Sequence, residues 1–161
     1  MTLSRVLVSF VRFARRMTFG VSSLGRARWG KEFVIGPRAR SARSGSFVAG
    51  SRVNIGADFV NHAKLSVGDD VMISSHVAIV GNDHPFDASD RTIQEFPSSP
   101  PARVVLEGDN LIGYGTIILG PVTIGRGTVV GAGSLVTHDL PRDVVAYGRP
   151  AVAKRPRRGR L

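Results

Sequence analysis

From Leu106 to Val136 an aliphatic residue recurs at every sixth position: Leu106, Ile112, Ile118, Ile124, Val130 and Val136. Glycine follows directly at Gly113, Gly125 and Gly131, and a small or β-branched residue stands four places on at Thr116, Val122, Thr128 and Ser134. No ordinary element has this period, because a helix repeats every ~3.6 residues and an alternating strand every ~2. A chain that changes direction every six residues does satisfy it, by coiling into a triangular prism. The lead aliphatic side chain then points inward, and a small residue or glycine occupies the crowded bend. Stacked coils pair through their backbone edges and bury one continuous column. The expected fold is all-β, a parallel β-helix.

An earlier run follows the same rule with exceptions. Ile55, Val67, Ile73 and Ile79 hold the lead position, with Phe59, Leu65, Val71 and Val77 four places on. Ala49-Gly50 with Val53 and Arg43 with Phe47 extend it backwards, and an Ile35-Gly36…Ala39 copy sits two residues out of phase. Asn61 is the outlier at a lead position. It is either an internal hydrogen-bonding residue or a contact for the acceptor substrate. Residues 81–105 break the period with Asn82, Asp83, His84, Pro85 and three further prolines, which marks an excursion loop. Loops of this length without structure of their own are usually functional or disordered. Pro141, after the last repeat, ends the coil because proline cannot pair in a central ladder.

The ends of the chain differ from its middle. Residues 1–43 carry ten basic side chains and one acid, Glu32; residues 142–161 carry seven and one; the stretch between carries five and ten. Charge held in the tails argues against a basic nucleic-acid groove. At about 100° per residue, Leu3, Val6, Leu7, Phe10, Phe13, Ala14 and Met17 share one arc, with Arg5, Arg12, Arg15 and Arg16 opposite. This predicts an amphipathic helix over 3–17. Its apolar face packs on the domain or a neighbouring subunit, or else residues 1–20 lie peripherally on an anionic membrane. The run is too short and too interrupted by arginine to span a bilayer, and no signal-peptide cleavage site follows it. The absence of cysteine excludes a disulfide framework and thiolate chemistry. The chain divides into a helix and linker (1–30), a β-helix domain (31–148) and a basic tail (149–161). The expected location is the cytoplasm, with the inner membrane face as its peripheral variant.

The repeats, the loop with its His84-Pro85 step and the segment VGAGSLVTHDLPRDVVAYGRPAVAKR resemble the hexapeptide-repeat acyltransferases. Within them, the galactoside and maltose O-acetyltransferases and the xenobiotic acetyltransferases are the nearest groups. The resemblance covers roughly residues 47–155, and VGDDVMISSHVAIVGNDHPFD is among its most specific pieces. It implies a left-handed β-helix, a homotrimer with active sites between subunits, and acetyl transfer from acetyl-CoA to a hydroxyl of a sugar or saccharide. It assigns catalysis to His84 and contacts with CoA to Ala132, Gly133, Thr137, Lys154 and Arg155. Two departures stand out: Leu111 precedes Ile112-Gly113 where the family has Trp, and the family's Pro-Gly-Val turn is reversed as Gly120-Pro121-Val122.

The chemistry fits those residues. A hydroxyl attacking a thioester needs a base that titrates near neutrality, which histidine supplies. His84 would take the hydroxyl proton and return it to the CoA thiolate. A backbone N–H near Gly113 or Tyr114 would hold the oxyanion, and Asp83 or a backbone carbonyl would fix the imidazole tautomer. Asn61, Asn82 and Asp83 are the candidate substrate contacts. His62, His76 and His138 are expected to be solvated. A zinc enzyme on this fold needs three convergent histidines, and the nearest pair here, His76 and His84, is eight residues apart, so no metal is expected. A non-catalytic β-helix scaffold is the alternative.

Overall fold

The computed structural model describes residues 3–157 other than 24, 82, 86 and 88–91, and only the backbone of 3–6 and 22. Three parallel sheets wrap one interior. The first contains Ala27–Trp29, Ser46–Ala49, Lys64–Val67, Arg103–Leu106 and Val122–Ile124. The second contains Val34–Ile35, Asn54–Ile55, Met72–Ile73, Leu111–Ile112, Val129–Val130 and Val144–Gly148, with Ala151–Pro156 added antiparallel at its edge. The third contains Arg40–Ser41, Val60–Asn61, Ala78–Val80, Ile117–Leu119 and Leu135–Val136. The first corner links the first sheet to the second, the second corner links the second to the third, and the third corner leads back to the first.

The six-residue period becomes one strand and one corner. Val104 pairs with Val122, and Leu111 with Val129, so three repeats close one turn. Both marked positions of each repeat point inward. Ile112, Ile118, Ile124, Val130 and Val136 are buried, and so are Thr116, Val122, Thr128 and Ser134. The polar members of this set are satisfied locally, as where the Ser134 hydroxyl donates to Gly131 O at 2.7 Å. The out-of-phase Ile35 copy has a simple origin. Five residues separate Ser41 from Phe47, whereas three separate their partners Asn61 and Leu65 on the next turn. The third corner of the first turn therefore holds two extra residues.

Strand Ala27–Trp29 lies before the boundary expected at residue 31, and Ala151–Pro156 lies beyond 148, so sheet structure runs past both expected limits. The first turn would leave three unpaired strand edges, which the helix α1 (Leu3–Ser22) covers by packing on Ala27–Trp29, Val34–Ile35 and Arg40–Ser41. Phe19, 1% exposed, is its anchor: the ring meets Phe47 edge-on at 5.1 Å, and Phe33 and Phe59 continue the aromatic stack below.

The helix differs from expectation in two ways. It continues to Ser22 rather than ending at Met17. Its apolar arc also does not pack on the domain: Leu7, Phe10, Phe13 and Met17 are 63%, 66%, 58% and 48% exposed. The turn after the helix decides its rotation. Ser23 N donates to Phe19 O and Gly25 N, at a left-handed φ of 72°, donates to Gly20 O. This sets Phe19, on the side opposite the arc, against the coil.

Candidate active site

The excursion leaves the third corner after Ala78–Val80 and returns at Arg103–Leu106. Its neck is tight, with Ala102 N donating to Gly81 O. A Cβ at Gly81 would stand 3.0 Å from the Ala102 methyl and 3.1 Å from that of Ala63. Within the loop, Thr92 N donates to the Glu95 carboxylate at 2.6 Å, capping the short 3₁₀ turn Ile93–Glu95 and holding that carboxyl below its usual range. The returning chain then runs beside His84, with Ser99 N donating to Asp83 O at 3.0 Å.

His84 is exposed, yet its ring is held on both sides. Nδ1 lies 2.7 Å from Phe96 O, and the Ser98 hydroxyl lies 3.3 Å from Nε2. A carbonyl oxygen can only accept, so Nδ1 carries the hydrogen in the neutral ring. Nε2 then bears the lone pair and accepts from Ser98. This is the tautomer that a general base requires. Of the two orienting groups considered, the backbone carbonyl acts; Asp83 contributes its own carbonyl to Ser99.

The second corner carries the other group. Gly133 N, at a φ of 67°, donates to Tyr114 O at 2.7 Å, tying consecutive turns together. A Cβ at Gly113 would collide with the Ala132 backbone, so glycine is what lets these turns stack. Gly113 N donates to Val130 O at 2.8 Å and is already used within the coil, which corrects its assignment as an oxyanion donor. Among the described residues no hydrogen bond engages the N–H of Tyr114 or of Ala132. Tyr114, Ala132 and Gly133 are exposed. Thr137 begins the third corner, its hydroxyl 2.8 Å from His138 Nδ1. Lys154 and Arg155 stand exposed on the terminal strand Ala151–Pro156, where the Lys154 ammonium lies 5.5 Å from the centre of the Tyr147 ring.

A column on the second corner was not legible beforehand. Arg38, Asp58 and His76 all adopt left-handed φ values of 57–61° on successive turns. The Arg38 guanidinium forks onto the Asp58 carboxylate with two 2.6 Å bonds, and His76 Nε2 lies 3.5 Å from the same carboxylate. The hydrogen bond from Arg38 pulls the Asp58 carboxyl below its usual range, against a smaller opposing effect of burial. The His76 ring packs on Tyr114 at 5.0 Å. His76 is exposed as expected, but it links this ion pair to the Tyr114 shelf. Its members stand twenty and eighteen residues apart, so no fixed sequence period marks them.

Asn61 belongs to neither group. It is fully buried: its amide donates to Ser41 Oγ at 3.0 Å, Ser46 O at 3.3 Å and Ala63 O at 3.1 Å, and its carbonyl accepts from Ala63 N at 3.1 Å. All of its hydrogen-bonding capacity faces inward, which corrects its placement among substrate contacts. Asn110 plays the same part higher up, donating to Gly125 O and Thr128 O. Asn82 lies outside the described residues. No group of three or more His, Asp or Glu among the described residues is placed to hold a metal ion.

Residues 103–138 match the bacterial transferase hexapeptide family of six repeats. The chain is 35% identical over 109 residues to a galactoside O-acetyltransferase of Lactococcus lactis subsp. lactis, covering 68% of this chain and 51% of that protein. The chain belongs to the hexapeptide-repeat transferases. A second member, the galactoside O-acetyltransferase of Escherichia coli K12, is 36% identical over 113 residues, covering 65% of this chain and 54% of that protein. This hexapeptide-repeat chain thus spans about half the length of the curated relatives it matches. The crystal structure of a maltose O-acetyltransferase from Clostridium difficile 630 superposes with a TM-score of 0.74 at 28% identity, covering 83% of this chain and 71% of that one. A hexapeptide-repeat acetyltransferase of Vibrio cholerae, solved with acetyl coenzyme A, shares the fold at a TM-score of 0.73 and 24% identity, covering 91% and 88%. The coil is the left-handed parallel β-helix of these proteins.

Proposed function

We propose that the chain is a CoA-dependent O-acetyltransferase that moves an acetyl group from acetyl-CoA to a hydroxyl of a sugar or saccharide acceptor. The observation that carries this reading is the His84 ring, with Nδ1 held by Phe96 O and the lone pair of Nε2 presented at an exposed loop. In the reaction Nε2 takes the acceptor hydroxyl proton as the oxygen attacks the thioester carbonyl. The Tyr114 N–H would donate to the resulting oxyanion. The C–S bond then breaks, and the imidazolium returns its proton to the departing thiolate, leaving an acetyl ester and free CoA. Ala132, Gly133 and Thr137 would line the donor, and Lys154 and Arg155 would meet its phosphates. Asp83, next to the base, would face the acceptor, a role the sequence also gives to Asn82. The names of the galactoside and maltose O-acetyltransferases support the choice of acceptor class.

His84 and the Tyr114 shelf stand at opposite edges of the third sheet, which favours a site completed by a neighbouring copy. Beyond Arg40 and Asn54 of the first two turns, the second and third sheets turn apolar side chains outward at Met72, Leu111, Ile117 and Leu135, while the first sheet presents Arg28, Ser66, Arg103 and Thr123 beside Val48. A homotrimer burying the apolar faces is the proposed assembly. The cysteine-free composition suits the cytoplasm. The test is calorimetric titration of acetyl-CoA into the wild type and His84→Ala, with thiol release measured against saccharide acceptors. Binding by both forms with thiol release by the wild type alone is expected. Failure of both forms to bind would overturn the reading.

A further inference from the structure

We propose that the outward face of α1 is a docking surface for an anionic lipid bilayer. The proposal does not depend on the acetyl-transfer reading. Because α1 packs on strands of all three sheets of the first turn, it closes that end of the prism. The arc opposite Phe19 therefore faces along the coil axis, away from the body. That arc presents Leu7, Phe10, Phe13, Met17 and Val21 to solvent, with Val21 the most exposed at 74%. A ridge of large apolar side chains on the end of a solenoid is costly to leave in water, and native solenoids normally cap their ends with polar surface.

Charge decides which occupant fits. Residues 1–31 contain no acid, and Glu32 is the one carboxylate before residue 44. Arg12, on the far side of the helix from the ridge, and Arg26, Arg28, Lys31, Arg40 and Arg43 in the turn beneath it are exposed. The body between residues 44 and 141 is by contrast net acidic, so the positive charge is held in the two ends of the chain, the larger share in this one. A second copy could offer an apolar seam, since Leu7, Phe10, Ala14, Met17 and Val21 follow alternating spacings of three and four. The positions flanking that seam, Val11, Phe13, Thr18 and Gly20, hold no charged pair to select a partner helix, and a second copy, with no carboxylate on its own helix, would leave the arginines' charge unanswered. An anionic bilayer supplies both what the ridge lacks and what the arginines lack: an apolar interior beneath a layer of negative headgroups. In the trimer proposed above, three such faces would lie on one end and bind together, so avidity would multiply a weak single contact. No described helix is long and apolar enough to cross the membrane, so the contact is with its surface.

The test is co-sedimentation of the full chain with phosphatidylcholine vesicles, with and without phosphatidylglycerol. It includes the double variant Phe10→Glu/Phe13→Glu and sedimentation equilibrium of both proteins without lipid. Both side chains are exposed, so the variant should fold, which its circular dichroism checks. The expected result is binding to the phosphatidylglycerol vesicles at least about tenfold stronger than to pure phosphatidylcholine, weakened by salt and lost in the variant. A wild type that stays in the supernatant with both vesicle types overturns the proposal. A native mass that falls in the variant also overturns it, and assigns the face to another copy of the chain.

Discussion

Replacing Asn61 with alanine separates an interior role from a substrate contact in one experiment. The side chain occupies a lead position of the repeat, where its partners on the same sheet are Ser41 and Ile79. Truncation deletes the acceptor of Ala63 N and the donors to Ser41 Oγ, Ser46 O and Ala63 O. Ala63 O keeps the bond from Ser46 N and the Ser46 carbonyl is only partly buried, so the main losses are at the Ala63 N–H and the buried Ser41 hydroxyl. Each buried group left without a partner costs about 1–3 kcal/mol, so Asn61→Ala should destabilise the fold by about 2–4 kcal/mol. For a chain of this size that lowers Tm by roughly 5–15 °C. Asn61→Leu, which restores the aliphatic character of the column but not the bonds, should recover only part of the loss. Thermal melts by circular dichroism, alongside the acceptor KM, read the outcome. A Tm within about 1 °C of wild type with a raised KM would refute the interior assignment and return Asn61 to the substrate site.

Other expectations follow from the same contacts. Gly113→Ala drives a methyl into the Ala132 backbone on the next turn. It should cost about 1–3 kcal/mol in stability and weaken acetyl-CoA binding, read by melts and by calorimetry. Asp58 has its folded-state carboxyl lowered by Arg38, so its contribution to stability is present above the unfolded carboxylate pKa and lost as pH falls through the folded one. Asp58→Asn should therefore flatten the fall in Tm on acidification, and an unchanged slope would show that the ion pair is not coupled to folding. His84→Gln removes the base while keeping a side chain of similar reach. Turnover should drop by about 10²–10⁴ with acetyl-CoA affinity retained, and a variant within threefold of wild-type turnover would remove His84 from the chemistry.

The regular parts of this chain are legible in sequence because each repeat solves the same local problem. An aliphatic side chain every six residues can be buried only if the chain turns at that spacing, so the coil and the interior column follow from order alone. His84 stands out in the sequence for the complementary reason: it sits where the period stops. The column of Arg38, Asp58 and His76 could not, since its members are twenty and eighteen residues apart and align only once the length of each turn is known. The tautomer of His84 likewise depends on Phe96, twelve residues away across an irregular loop.

Two decisions belong to the tertiary structure alone. Helical periodicity shows that Leu7, Phe10, Phe13 and Met17 share a face, but not whether that face meets the coil. The turn at Ser23–Gly25 and the seat of Phe19 among Phe33 and Phe47 fix the rotation, and they point the face outward. Asn61 is the second case. Its polarity at an inward position fitted both a ladder and a ligand, and only the partners drawn from Ser41, Ser46 and Ala63 on two turns settled which. Sequence determines which residues must be buried or turned, because burial and backbone freedom are properties of the residue; what each one touches depends on neighbours that only the closed coil brings together.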